Sequence, residues 1–128
     1  MSLADHKPLA PGSVIGILGG GQLGRMLSLA AARLGFQCHI YDPVWGGPAS
    51  HVARFETNAS YENVEAILSF AKSCDVVTYE FENVPALTAK TAAGAKPLHP
   101  NSQALNVAQD RLTEKTFIRD TAKVPVAL

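Results

Sequence analysis

The chain reads as an α/β protein built on a Rossmann-like, doubly wound parallel sheet. Apolar, β-branched runs alternate with helical patterns along its length, which is the signature of strand–helix–strand units. The segment Ile15 to Met26, IGILGGGQLGRM, sets three consecutive glycines between an apolar run and an amphipathic one. Polar or glycine-rich segments recur at the strand exits, the edge where open α/β sheets bind their ligands.

Each element follows in order. Val14–Leu18 is the first strand, and Gln22–Leu34 the first helix, with Leu23, Met26, Leu27, Ala30, Ala31 and Leu34 on one inward face and Gly35 ending it. Gln37–Tyr41 is the second strand and stops at Asp42-Pro43. Gly46, Gly47 and Pro48 make 44–50 a loop, and Arg54–Glu56 is a short third strand. Ser60 is positioned to cap a helix over Tyr61–Lys72, with Val64, Ile67, Leu68 and Ala71 inward. Asp75–Tyr79 is the fourth strand, exiting through Glu80–Val84. Pro85 suits the first turn of a helix running to Ala93 and closed by Gly94, and Lys96–Leu98 makes a short fifth strand. Asn101 or Ser102 caps the next helix, and Asp110 caps the last, to about Asp120. Val124-Pro125 then opens an extended segment that reads as the entry to a further region.

Composition narrows the function. The 128 residues suit one compact domain, and 47% hydrophobic content supports a packed core. Eleven basic residues balance eleven acidic ones, which leaves no basic field for nucleic acid. No apolar run reaches membrane-spanning length, and the first residues, MSLADHKPLAPG, lack a secretory apolar core and read as a flexible leader. Cys38 and Cys74 read as reduced core thiols of a cytosolic protein. No metal-ligand spacing, serine-nucleophile elbow or P-loop is present. His39, flanked by apolar positions, reads as a packed histidine.

Three motifs carry chemistry. Gly19, Gly21 and Gly24 fit G-x-G-x-x-G at a strand-to-helix turn, where free N–H groups and the helix dipole favour an anion such as a phosphate. Asp42, at the end of the second strand, stands where a dinucleotide-binding fold keeps a ribose-binding acid, and equally reads as a turn former. Glu80 and Glu82, in TYEFENVP, fall on one side of an extended segment with Phe81 on the other. Two acids so placed repel unless hydroxyls, an amine or a metal sits between them, although Glu82 also suits the start of the next helix. Arg111 and Lys115, in QDRLTEK, read from spacing as ordinary surface charges, with Arg111 able to pair with Asp110.

GILGGGQLGRML, YDP, TYEFENVP, HP and QDRLTEK occur in this order in one family. From about residue 13 to 128 the chain resembles the N-terminal, pre-ATP-grasp domain of the 5-(carboxyamino)imidazole ribonucleotide synthases, the ATPase subunits of phosphoribosylaminoimidazole carboxylase. The related formate-dependent glycinamide ribonucleotide transformylases usually carry an acid where Gln22 stands. The resemblance implies an ATP-grasp ligase of purine biosynthesis. Such an enzyme activates hydrogencarbonate with ATP as a carboxyphosphate and carboxylates the amine of 5-aminoimidazole ribonucleotide, releasing ADP and phosphate with magnesium required.

By motif, the resemblance assigns ribonucleotide contacts to Gly21, Gln22, Leu23 and Glu80, and an ATP contact to Arg111, with no catalytic or metal-binding residue in this stretch. It divides the chain into a leader (1–12), the Rossmann-like domain (13–108) and the start of a linker and ATP-grasp region (109–128), where the magnesium ligands are expected beyond the given sequence. It also implies a cytoplasmic homodimer for the full-length enzyme and no activity for this stretch alone. The competing readings are an NAD(P)-binding domain of an oxidoreductase and a nucleotide-sensing module without chemistry.

Overall fold

The structure, a computed structural model, describes residues 7–80 and 82–127. Four parallel strands, β1 (Val14–Leu18), β2 (Gln37–Tyr41), β3 (Phe55–Thr57) and β4 (Val76–Tyr79), lie in the order β3-β2-β1-β4. Their helices are α1 (Gln22–Arg33), α2 (Val64–Lys72), α3 (Ala86–Ala93), α4 (Ser102–Gln109) and α5 (Arg111–Asp120). The order reverses at β1, whose neighbours are β2 on one side and β4 on the other. The switch point therefore lies between the carboxyl ends of β1 and β4, where open α/β sheets form their ligand crevice. The doubly wound α/β fold read from the sequence is the one observed.

Strand alternation divides the core. Ile17 lies beside Ile40 and faces α1, in a small cluster with Ala31, Cys38 and Ala49. Leu18 lies beside Tyr41 and faces α2, α3 and α4, in a larger cluster with Ile67, Phe70, Val77, Ala89 and Leu105. Tyr41 meets the Phe70 ring edge-on at 5.2 Å and stacks on Tyr61 at 5.8 Å.

Most caps are the ones the sequence signals. Gly35, at φ +82°, takes the left-handed position after α1, and Phe36 and Gly35 return their N–H groups to Ala31 and Ala32. The Asn101 side chain caps α4 through Ala104 N–H, and Asp110 caps α5 through Thr113 N–H. Gly12, assigned to the leader, is tied to Gly35 by a 2.7 Å bond from its N–H; Met1 to His6 fall outside the described residues.

Several boundaries move. α2 starts at Val64 with Asn63 as its cap, because Ser60 spends its hydroxyl closing a local turn onto Glu62 N–H. Its buried residues are Ile67, Phe70 and Ala71; Val64 is exposed, since the later start leaves it in the open first turn. β3 shifts to Phe55–Thr57, β4 loses Asp75, and the fifth strand contracts to one bridge between Val77 and Leu98.

The largest correction concerns α1. It buries Gly24, Ser28 and Ala31, and leaves Leu23 (54%), Met26 (58%) and Leu34 (70%) exposed. Small residues let the helix axis approach the sheet closely; the leucine stripe would hold it away. The buried Ser28 hydroxyl donates to Gly24 O at 2.8 Å, so this small face leaves no hydroxyl unpaired.

Candidate functional site

The glycine turn sits between two carboxylates. Gly20 N–H donates to Asp42 Oδ2 at 2.6 Å, and Gly21 N–H donates to Glu80 Oε1 at 3.2 Å. A Cβ on Gly19 would collide with Glu80 Cγ, while one on Gly20 would lie 3.0 Å from Asp42 Cβ, and one on Gly21 3.0 Å from Glu80 Oε1. The run of three glycines is thus explained by two acids seated against the backbone. The Gly20 and Gly21 amides therefore serve carboxylates, and the donors the turn still offers an anion are those of the first turn of α1.

The neighbouring loop completes the frame. Asp42 Oδ1 accepts from Val44 N–H at 2.7 Å, which makes the Asp-Pro segment an Asx turn. Ala49 N–H donates to Gly20 O at 3.0 Å, and Arg25 Nη1 to Pro48 O at 3.2 Å. Both oxygens of Asp42 are therefore engaged by backbone, which gives it a structural role as turn former and brace. Only the turn-forming half of that reading was available from sequence.

Beyond the acids the site is open. No side chain caps α1, which leaves the amides of its first turn directed at the edge. Gln22 is exposed at that end. Leu23, Met26, Leu27, Ala30, Tyr79 and Glu80 line a groove of about 430 Å³. Four residues of the expected inward face, Leu23, Met26, Leu27 and Ala30, form one wall of this groove, while Ala31 is buried as expected. The ion pairs of the described residues, Arg111–Glu114 and Arg119–Asp120, lie elsewhere, so Asp42 and Glu80 form an acidic pair without a cation among them. Burial, and then the fields of Asp42 and Glu80, push the Tyr61 hydroxyl well above the ordinary tyrosine range. The arrangement favours hydrogen-bond donors or a positive group over a second anion.

The structure brings together Gly21, Leu23 and Glu80, with Gln22 beside them, and leaves the other candidates apart. Arg111 lies on α5, which packs on α4, and its guanidinium pairs with Glu114 at 2.7 Å rather than with Asp110. By itself it makes no nucleotide site. Glu82 is exposed in a turn, because extended backbone ends at Tyr79, so the alternation placing it beside Glu80 does not continue; Phe81 lies outside the described residues. Gln109, which sequence reasoning passed over, donates to Glu82 O at 2.7 Å and Val84 O at 2.5 Å, and so braces the exit loop behind Glu80. No pattern of residue types signals such a bond.

The remaining titratable groups belong to the frame. His39 is a packed histidine bonded to Ser73 Oγ and Thr57 Oγ1, both at 2.8 Å. Cys38 and Cys74 are free and buried, and burial pushes the Cys74 thiol up to about 11. Among the described residues no three His, Cys, Asp or Glu side chains gather where they could hold a metal ion. No helix among them is long and apolar enough to cross a membrane.

The fold and the site are those of an open parallel sheet with a carboxylate-braced glycine turn at its switch point, and a family model identifies the class as a pre-ATP-grasp domain. The chain belongs to that family: residues 13–109 match the ribonucleotide synthetase pre-ATP-grasp domain. Within it, the chain is 47% identical over 117 residues to the N5-carboxyaminoimidazole ribonucleotide synthase of Brucella melitensis, covering 91% of this chain and 32% of that protein. The synthetase structure from Thermus thermophilus superimposes with a TM-score of 0.82 at 47% identity, covering 88% of this chain and 31% of the other. A synthase structure from Aspergillus clavatus, in complex with ADP and 5-aminoimidazole ribonucleotide, gives 0.82 at 33% identity, covering 92% and 31%. The chain thus spans about a third of the length of the relatives it matches. These likenesses lend no support to the oxidoreductase reading.

Proposed function

We propose that this domain supplies the ribonucleotide half-site of an ATP-dependent carboxylating ligase. That ligase converts 5-aminoimidazole ribonucleotide, ATP and hydrogencarbonate to 5-(carboxyamino)imidazole ribonucleotide, ADP and phosphate in purine biosynthesis. The observation that carries the reading is Glu80, held against the glycine turn by Gly21 N–H and paired with no cation of the described residues; the Aspergillus relative, itself in complex with a ribonucleotide, supports it. The Glu80 carboxylate accepts hydrogen bonds from ribotide hydroxyl or amine groups. Gly21, Gln22 and Leu23 contact the ribotide from the turn and the open end of α1. Arg111 turns from Glu114 toward ATP, with residues 109–128 forming the start of the ATP-grasp region and the magnesium ligands lying outside residues 1–128. The full-length enzyme works as a cytoplasmic homodimer, and residues 1–128 alone do not catalyse carboxylation-coupled ATP hydrolysis.

The test is an NMR titration of the chain with 5-aminoimidazole ribonucleotide and, separately, with NAD. Half a site gives an affinity on the order of millimolar, about 4 kcal/mol. Shifts at Gly19–Gly24 and Glu80 with the ribonucleotide alone are expected. Saturable shifts with NAD that include Asp42 would sink the ligase reading.

A further inference from the structure

We propose that Asp42 is a positioning residue for Glu80, acting through two consecutive peptide groups of the glycine turn. Gly20 N–H, in the Gly19–Gly20 peptide, is fixed by Asp42 Oδ2 at 2.6 Å. The next peptide carries Gly20 O, held by Ala49 N–H at 3.0 Å, and Gly21 N–H, which meets Glu80 Oε1 at 3.2 Å. Asp42 also sets the loop that supplies Ala49, because its Oδ1 takes Val44 N–H at 2.7 Å and its own carbonyl takes Asn58 Nδ2 at 3.1 Å. One carboxylate thus fixes one peptide directly and steadies the loop holding the next. Glycine peptides have the largest conformational freedom of any residue, so without these bonds the plane facing Glu80 has no side chain to restrain it. Both Asp42 oxygens already accept from backbone N–H groups, and its effect reaches the site through the orientation of Gly21 N–H.

The inference rests on Glu80 being a ribonucleotide contact, and its test keeps the two apart. Amide hydrogen exchange of the 128-residue chain is compared with that of Asp42→Asn and Gly20→Ala, alongside titration with 5-aminoimidazole ribonucleotide. Gly20→Ala is the second route, since its Cβ would press on Asp42 Cβ at 3.0 Å while leaving the acid in the sequence. In both variants the amides at positions 20 and 21 are expected to exchange about tenfold faster or more, with the amides of Leu18 and Ile40 unchanged, as loss of a charge-assisted bond predicts. Ribonucleotide affinity is expected to fall about tenfold, and Asp42→Asn is expected to add little to Glu80→Gln, as coupled groups do. Equal acceleration of all amides would reduce Asp42 to a stability residue and overturn the inference. So would Asp42→Asn binding the ribonucleotide normally while Glu80→Gln binds it poorly. Normal binding by Glu80→Gln would overturn the ribonucleotide reading itself, and with it any role of Asp42 in positioning a ligand contact.

Discussion

The two faces of the sheet are packed on opposite principles. Behind Leu18 and Tyr41 the space is filled by volume: Phe70 is 1% exposed, touches the Tyr41 and His39 rings, and closes a cluster that draws on α2, α3 and α4. In front of Ile17 and Ile40 the space is closed by the absence of volume, with Gly24, Ser28 and Ala31 bringing α1 onto the strands. The first face stabilises the fold, and the second sets the position of the glycine turn. A site at a sheet edge thus depends more on where a helix can be brought close than on how much apolar area it covers.

The contrast predicts opposite sensitivities to a change of size. Phe70→Ala should produce the largest effect, about 3–5 kcal/mol of lost stability from the vacated volume, measured by chemical denaturation. The turn itself should keep its Gly20 and Gly21 amide positions in the folded fraction. On the other face an increase in size is the damaging change. A Cβ on Gly24 would lie 2.8 Å from Gly19 O and 3.2 Å from Ala49 Cβ. Alanine gains about 1 kcal/mol of helix propensity over glycine, whereas overpacking against backbone costs about 1–3 kcal/mol. Gly24→Ala should therefore lose about 1–2 kcal/mol net and move the turn amides, which NMR would register. A neutral Gly24→Ala with unmoved amides would break the comparison.

The smallest effect is a pH dependence confined to the large face. Burial lowers the His39 pKa below its ordinary 6.5. Ser73 Oγ donates to Phe70 O, so it accepts from His39 Nδ1–H, and Thr57 Oγ1 donates to Nε2, an arrangement that suits the neutral ring. Because the unfolded chain binds the proton more readily, stability is fully present above about pH 6.5 and is lost as pH falls toward the folded-state value. Thermal melts between pH 7 and 5 check this, with His39→Gln expected to flatten the profile. A wild-type melting temperature unchanged across that range would remove His39 from the account.

Much of this was legible in the residues, for local reasons. The αL glycine after α1 and the side-chain caps at Asn101 and Asp110 depend on neighbours within a few positions, and they stand where the sequence puts them. Ser60 failed as a cap for an equally local reason, since an adjacent turn competed for its hydroxyl. Gly21 and Glu80 were legible together because strand exits in a doubly wound sheet converge at its switch point, whereas Leu23, which its spacing put in the core, joined them only through the family resemblance. Arg111 was not brought to them: α5 buries no residue and packs on α4, so nothing among the described residues directs its guanidinium to the turn.

By itself the sequence determined the alternation of strands and helices and most of their caps, because residue period and capping act over one or two turns of chain, and it pointed to the strand exits as the candidate edge. The inward face of α1, the work of Asp42 and the seating of Glu80 were decided by the tertiary structure. The bonds that settle them join Gly20 to a residue 22 positions away and Gly21 to one 59 positions away. An amphipathic stripe is equally consistent with a core or with the wall of a groove. A carboxylate at a strand end is equally consistent with a ligand contact or a backbone brace. Which of these is realised depends on what the folded chain places opposite them.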